Sequence, residues 1–330
     1  MLPCYNAAPT LARALDSLVR QTCSAIEIVV VDDGSSDATP GIVHAYASHD
    51  ARVRVLQQPH AGIVAALNAG IAAARGALIA RMDADDVCHP ERFARQAAFL
   101  DAQPGVDVLG CGVQFVGAPH AGGYARHVAW LNSLHTHEDI ALNRFRESPF
   151  AHPAVMFRRA LVAAHGGYRE GPFPEDYELW LRWLDAGVRM ASLPDVLLDW
   201  HDTPGRLSRR DPRYDAEQFY ALKAGYLARW LARHNPHHPC VIIGGAGRVT
   251  RRRAAHLAEH GIAVAAYADI DPRKIGRMIH GVPVLAPEDL PPPEQCFVIP
   301  YVASRGAPDA WCTLLNARGF QRGRSWIPAA

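Results

Sequence analysis

Residues 80–86 read Ala-Arg-Met-Asp-Ala-Asp-Asp, directly after the apolar run Ala77–Ala80. Three carboxylates, Asp83, Asp85 and Asp86, therefore fall at or just past the end of an expected strand. Like charges this close repel unless a cation lies between them or water solvates them. A hard divalent cation takes carboxylate oxygens and keeps other positions for phosphate or water. The run thus points to chemistry on a phosphorylated, nucleotide-linked substrate, with a solvated acidic turn as the competing reading. Two more acidic pairs stand where open α/β sheets bind ligands, beyond the carboxyl ends of strands or in the loops beside them. Asp32-Asp33 follow Val31, and a carboxylate there can accept from a base N–H or from ribose hydroxyls. The alternative is a turn capped by Ser36 or Asp37. Glu175-Asp176 follow Pro174 and open an amphipathic helix, where plain capping by the helix dipole is the alternative.

The elements that must position these groups alternate in type. Leu11, Ala14, Leu15, Leu18 and Val19 share one face of a helix starting after Pro9-Thr10. Residues 26–31 form an apolar strand, 39–49 a helix with Pro40 in its first turn, 53–56 a short strand and 63–74 an Ala-rich helix. Residues 78–82 lead into the acidic cluster, followed by a helix over 90–102 and a strand over 106–114. This order predicts an α/β domain with a mostly parallel central sheet. Beyond it come a turn-rich break at 118–123, a helix over 139–147, a strand over 154–157, the amphipathic helix 176–186 and a strand over 196–200. Asp215-x-x-Gln218 reads as a capping box opening a long helix to about Arg233. His234-Asn-Pro-His-His-Pro239 then breaks the pattern. The predicted organisation is a first domain over 1–210, a helix and linker over 211–239, and a smaller Rossmann-like α/β domain over 240–330.

Composition removes several classes. The 330 residues are 49% hydrophobic with a formal net charge of +1. That allows two cored domains and supplies no global field for nucleic acid. Seven scattered cysteines without Cys-x-x-Cys spacing predict reduced thiols in a cytoplasmic protein. No window approaches 18 consecutive apolar residues, so no membrane span is expected. Met1–Asn6 lacks the charged and apolar regions of a signal peptide. The seventeen histidines lack zinc-type spacing and read as surface loop residues.

Five segments in order resemble family 2 glycosyltransferases, which have the GT-A fold: 3–7, 30–37, 61–70, 80–86 and 174–182. The resemblance covers about residues 1–210. It implies an inverting, metal-dependent transfer of a sugar from a nucleoside-diphosphate donor to a hydroxyl of a glycan or lipid-linked acceptor. The setting would be surface polysaccharide or glycoconjugate synthesis at the inner face of the membrane. By the resemblance Pro3, Tyr5, Asp32 and Asp33 would hold the nucleotide. Asp83 and Asp85 would form the DxD pair, with Asp85 on Mg2+ or Mn2+ and Asp83 toward the ribose or sugar, and Asp86 close enough to contribute. Asp176 would be the general base, supported by Glu175. The chemistry of the residues agrees: a departing diphosphate needs neutralising and an attacking hydroxyl needs a base.

Three departures stand out. Only Met1-Leu2 precede the Pro3 segment, so the first strand is expected to be short, with a mis-assigned start as the simplest cause. Many relatives carry a metal-reaching histidine after the last strand. Aligning residues 200–208 puts Thr203 at that position, with His201 out of register. Leu67 replaces an arginine frequent before the asparagine of 61–70. His152 is a candidate pocket residue or a structural one. In the last domain Gly245-Ala-Gly247 opens a helix, with Thr250 where a third glycine would stand and Asp269 about twenty residues on. Gly245, Gly247 and Asp269 thus form a candidate second nucleotide site, and a regulatory nucleotide- or dinucleotide-binding protein is the alternative function.

Overall fold

The computed structural model describes residues 1–117, 122–203, 205–302, 304 and 306–330. Two compact units emerge: Met1–Ile140 with Pro149–Pro212, and Ala141–Ser148 with Arg213–Ala330.

The first unit begins β1 (Leu2–Cys4), α1 (Ala8–Val19), β2 (Ile28–Asp32), α2 (Thr39–His49), β3 (Val53–Gln57), α3 (Ile63–Ala73) and β4 (Leu78–Ala80). β1, β2 and β3 form a parallel sheet, with Leu2 opposite Val30 and Ile28 opposite Val53. β2 is buried along its whole length, which is why its sequence is a continuous Val/Ile run rather than an alternation. Met1 links this sheet to β4: its amine donates to the Ala80 carbonyl at 2.9 Å, and the Met82 N–H donates to its carbonyl at 3.1 Å.

The unit continues with β5 (Val87–Cys88), α4 (Arg92–Ala102), β6 (Val108–Val116), α5 (Gly122–Leu131), α6 (His137–Asn143), β7 (Met156–Arg158), α7 (Ala160–His165), α8 (Glu175–Asp185) and β8 (Met190–His201). The second sheet runs β4-β7-β6-β8-β5. Only β6 and β8 pair in parallel there, so the parallel character expected from the sequence resides mainly in the first sheet. β8 is longer than the expected 196–200 because the chain pairs through Pro194. Leu193 lies opposite Cys111, Val196 opposite Gly112 and Leu198 opposite Val113, leaving Pro194, Asp195 and Leu197 unpaired. Proline is tolerated at such a bulge because no ladder bond is asked of it. Gly112 is required opposite, since a Cβ there would stand 2.9 Å from the Asp195 carbonyl oxygen. Of the expected turn at 118–123, residues 118–121 lie outside the described residues, and Gly122 and Gly123 already belong to α5.

The second unit holds α9 (Ala216–His234), β9 (Cys240–Gly244), α10 (Arg248–Ala258), β10 (Ala263–Ala268), β11 (Met278–Ile279), β12 (Val282–Leu285), β13 (Val298–Pro300) and α11 (Ala307–Ala317). Its sheet order is β11-β12-β10-β9-β13, parallel except for the β11–β12 hairpin. The segment 211–239 was expected to be a helix and linker, but α9 packs into this unit. Trp230 meets Phe297 edge-on at 6.0 Å, and Tyr220 lies 5.3 Å from Tyr301. The unit therefore starts at Arg213 rather than at 240, and Ala141–Ser148 joins it.

Candidate functional site

β4 delivers the chain to the acidic run. Asp83, Asp85 and Asp86 each offer an oxygen within 4.8 Å of the others. Asp86 is fully buried. One of its oxygens accepts the His201 N–H at 2.7 Å, and the other has no hydrogen-bond partner. Asp85 accepts from the Thr203 hydroxyl at 2.8 Å. Asp83 pairs with the guanidinium of buried Arg81. Burial, then the charges of Asp83 and Asp85, pushes the Asp86 carboxyl well above the usual range. Burial and Asp83 raise Asp85 too, against the pull of Thr203, Arg206 and Arg81. Three converging carboxylates, one with an orphaned buried oxygen, are the donor set a hard divalent cation takes. The residues present therefore fit Mg2+ or Mn2+.

Thr203 reaches this cluster at the position where a histidine was expected. The His201 ring does not: its Nδ1 bonds the Asp199 carbonyl at 3.2 Å, and only its main-chain N–H serves the site.

The second acidic site lies at the start of α8. Asp176 is half-buried in the first turn, where the helix dipole favours a carboxylate, and accepts the Tyr177 N–H at 2.7 Å. Glu175 is buried, with one oxygen 4.0 Å from His152 Nδ1. Burial, and the charge of Arg81, hold His152 well below its ordinary range, so this contact is made by a neutral ring. His152 Nε2 bonds the Tyr168 hydroxyl at 2.7 Å. Tyr168 links the two acidic sites: burial raises its pKa, Arg81 opposes this, and Asp176, Glu175 and Asp83 all add to the rise. Its loop is fixed from two sides. Asn68 on α3 makes a reciprocal pair with the Tyr168 main chain, at 2.9 and 3.0 Å. Arg182 on α8 bonds Glu178 and the carbonyls of His165, Gly166 and Gly167.

At the carboxyl ends of β1 and β2, Pro3 and Asp32 are buried, and Asp32 accepts the Ser35 N–H at 3.1 Å. Tyr5 is 47% exposed. The buried Asp33 carboxylate takes the Gln58 amide at 2.6 Å, the main-chain N–H groups of Ala61 and Gly62 at 3.0 and 2.9 Å, and His60 Nδ1 at 2.8 Å. Both its oxygens thus serve the turn that opens α3.

In the second unit Gly245 has φ +108°, and a side chain there would collide with Val302. Asp269 accepts the N–H groups of Ala246 and Asp271 and the Lys274 ammonium, at 2.8, 2.9 and 3.0 Å. Burial pushes its carboxyl up, but these donors bring it below the usual range. Gly247 caps α10 without a side-chain bond. The carboxylate expected to meet a ribose is thus engaged by its own loop.

Arg81, Tyr168 and Asn68 were not among the residues singled out from sequence. Asn68 lay inside a matched segment, and Arg81 inside the acidic run itself. Tyr168 had no signal, since only the fold carries it to the acidic residues.

Parallel strands ending in acidic residues, a carboxylate cluster beside them and an acidic helix start together make up a GT-A arrangement. Residues 1–166 match the family model Glycosyl transferase family 2, and the chain belongs to that family of glycosyltransferases. It is 35% identical over 190 residues to the amylovoran biosynthesis glycosyltransferase AmsE of Erwinia amylovora, covering 57% of this chain and 69% of that protein. Its fold is similar to that of S. aureus TarS 1–349 in complex with UDP-GlcNAc (TM-score 0.55, 21% identity, 78% of this chain and 70% of that one). It is also similar to that of the mannosyltransferase PcManGT from Pyrobaculum calidifontis in complex with GDP-Man and Mn2+ (TM-score 0.50, 22% identity, 79% and 69%). Among the described residues no helix is long and apolar enough to cross a membrane.

Proposed function

We propose that this chain moves a sugar from a nucleoside-diphosphate donor to a hydroxyl of a glycan or lipid-linked acceptor, inverting the anomeric carbon, in surface polysaccharide or glycoconjugate synthesis. The observation that carries the reading is the cluster Asp83, Asp85 and Asp86 with its orphaned oxygen. The likeness to a protein of amylovoran biosynthesis and to a mannosyltransferase holding GDP-Man and Mn2+ supports it. Asp85 and Asp83 would hold Mg2+ or Mn2+, which when bound neutralises the diphosphate as a Lewis acid. Arg81 fixes Asp83 and Thr203 fixes Asp85, so the oxygens are oriented before the donor arrives.

Asp176 accepts the proton of the acceptor hydroxyl as its oxygen attacks the anomeric carbon. The bond from that carbon to the diphosphate oxygen breaks, and its electron pair leaves with the diphosphate. Glu175, contacted by neutral His152, orients the acceptor beside it. Pro3, Tyr5, Asp32 and Asp33 line the nucleotide end, Asp33 also holding the turn that opens α3. The test is a donor screen that measures released nucleoside diphosphate with Mn2+ or Mg2+, alongside NMR of the product anomer. Activity is expected to require the cation and to fall at least about a hundredfold in Asp85→Ala and Asp176→Asn. Full activity in both variants would overturn the assignment.

A further inference from the structure

The second unit carries the three most exposed large hydrophobic side chains among the described residues: Ile270 at 77%, Met278 at 64% and Val249 at 51%. A single exposed apolar residue needs no explanation. These three stand on neighbouring connections along one rim of the sheet. Val249 lies in the first turn of α10, just past β9, Ile270 follows β10, and Met278 opens β11. Hydrogen bonds tie the rim together. The Asp269 carboxylate takes the Ala246 N–H at 2.8 Å and the Asp271 N–H at 2.9 Å. The Asp269 N–H donates to the Leu285 carbonyl at 3.1 Å, and the Gly276 N–H to the Val284 carbonyl at 2.9 Å. Ile270 is thus pinned on both sides, and its side chain is held in water where it adds nothing to the core.

Cations gather on the same rim. Residues 244–280 hold seven arginines and lysines against three acidic residues, in a chain whose formal net charge is +1. Arg273 and Lys274 answer the charges of Asp271 and Asp269. Arg248 and Arg277 are exposed, and their side chains have no ion pair or hydrogen bond among the described residues. The sequence marks this rim as a candidate nucleotide site, but three donors already fill the Asp269 carboxylate. Nucleic acid would answer the charge and leave the apolar tips in water. A bilayer surface answers both: apolar tips enter the acyl boundary while guanidinium groups stay among the headgroups.

We propose that this rim docks on a membrane surface carrying anionic headgroups. Val249, Ile270 and Met278 enter between the headgroups, and Arg248, Arg273 and Arg277 meet their phosphates. The inference uses none of the residues of the donor reading and is tested apart from it.

The experiment is flotation of the full chain with vesicles of phosphatidylcholine, either pure or with about one part in three of phosphatidylglycerol. The wild type is expected to partition to the anionic vesicles at least about tenfold more than to the neutral ones. Raising salt from about 0.1 to about 0.5 M should release most of it. Arg248→Gln with Arg277→Gln should cut the partitioning about tenfold. Ile270→Asn with Met278→Asn leaves the charge untouched and should also cut it about tenfold. Melting curves of both variants should match that of the wild type, because every replaced side chain is exposed. If one does not, Arg277→Gln or Ile270→Asn alone carries the test, with a loss of about threefold. A wild type that floats with neither vesicle, or equally with both, overturns the proposal, whether or not it takes duplex DNA or NAD instead. So does either double variant floating as the wild type does.

Discussion

Replacing Asp86 by asparagine separates the cost of the acidic cluster from its use. The three carboxylates bring ligand atoms within 4.8 Å of one another. At an effective dielectric constant of about 20, each such pair repels by roughly 3–4 kcal/mol. Asp86 enters two pairs, partly offset by Arg206. Asparagine keeps an oxygen for the His201 N–H and places an amide where the second carboxylate oxygen has no partner, facing acceptors. The net gain to the cation-free protein should be about 2 kcal/mol, or about 4–8 °C in the melting temperature of the first unit. The assay is calorimetric melting with and without Mn2+. A cation at a hundred times its dissociation constant adds about 2.7 kcal/mol to the wild type, and the variant should gain well under half of that while releasing nucleoside diphosphate more slowly. A lower cation-free melting temperature in Asp86→Asn, or equal Mn2+ shifts in both proteins, would refute the picture of a repulsive cluster relieved by a cation.

Thr203→Val keeps the volume beside Asp85 but removes its 2.8 Å hydrogen bond; the cation concentration for half-maximal donor turnover should rise about three- to tenfold, and an unchanged cation titration would show that Thr203 does not orient Asp85. Lys223 is buried over the Tyr220 ring, and burial lowers its pKa to about 7, against about 10.4 in an unfolded chain. Between those values the unfolded chain binds the extra proton, so this lysine's contribution to stability rises with pH, and its full penalty applies below pH 7. Lys223→Met should therefore stabilise the second unit by up to about 4 kcal/mol at pH 7 and by progressively less toward pH 10, as read by melting across that range; a stabilisation independent of pH would contradict it.

Where one local rule governed, the sequence was readable. α2 runs Thr39–His49 as expected, with Pro40 in its first turn, and β2 was visible as an unbroken apolar run. Two of the misses were places where local rules conflict with tertiary ones. Pro194 argues against a strand, yet β8 passes through it because the bulge and the side-chain-free Gly112 make room. Gly122-Gly123 reads as a turn, yet α5 starts there; its signal lay in the spacing of Val128 and Leu131, both buried. In the site, the acidic types and their strand-end placement were legible, because like charges in a row need an explanation wherever they fall. Partners were not. That Asp33 is filled by its own turn, that Asn68 holds the Tyr168 main chain and that Thr203 reaches Asp85 all depend on contacts across 25 to 118 residues of chain, which no local pattern encodes.

The bulge in β8 separates strand length from strand phase. Pro194, Asp195 and Leu197 lie opposite no residue of β6, and three is odd, yet Met190 lies opposite Val108 and His201 opposite Val116, so the pairing keeps its phase on both sides. The faces are held by the partner strand and not by a residue count. A residue gained or lost between Leu193 and Leu198 is therefore taken up where the chain is already out of step, and the His201 N–H stays on Asp86. Across homologous chains, gaps in β8 should gather in this segment and spare the stretch from Leu198 to His201, as slack in a rope collects at the one loose loop.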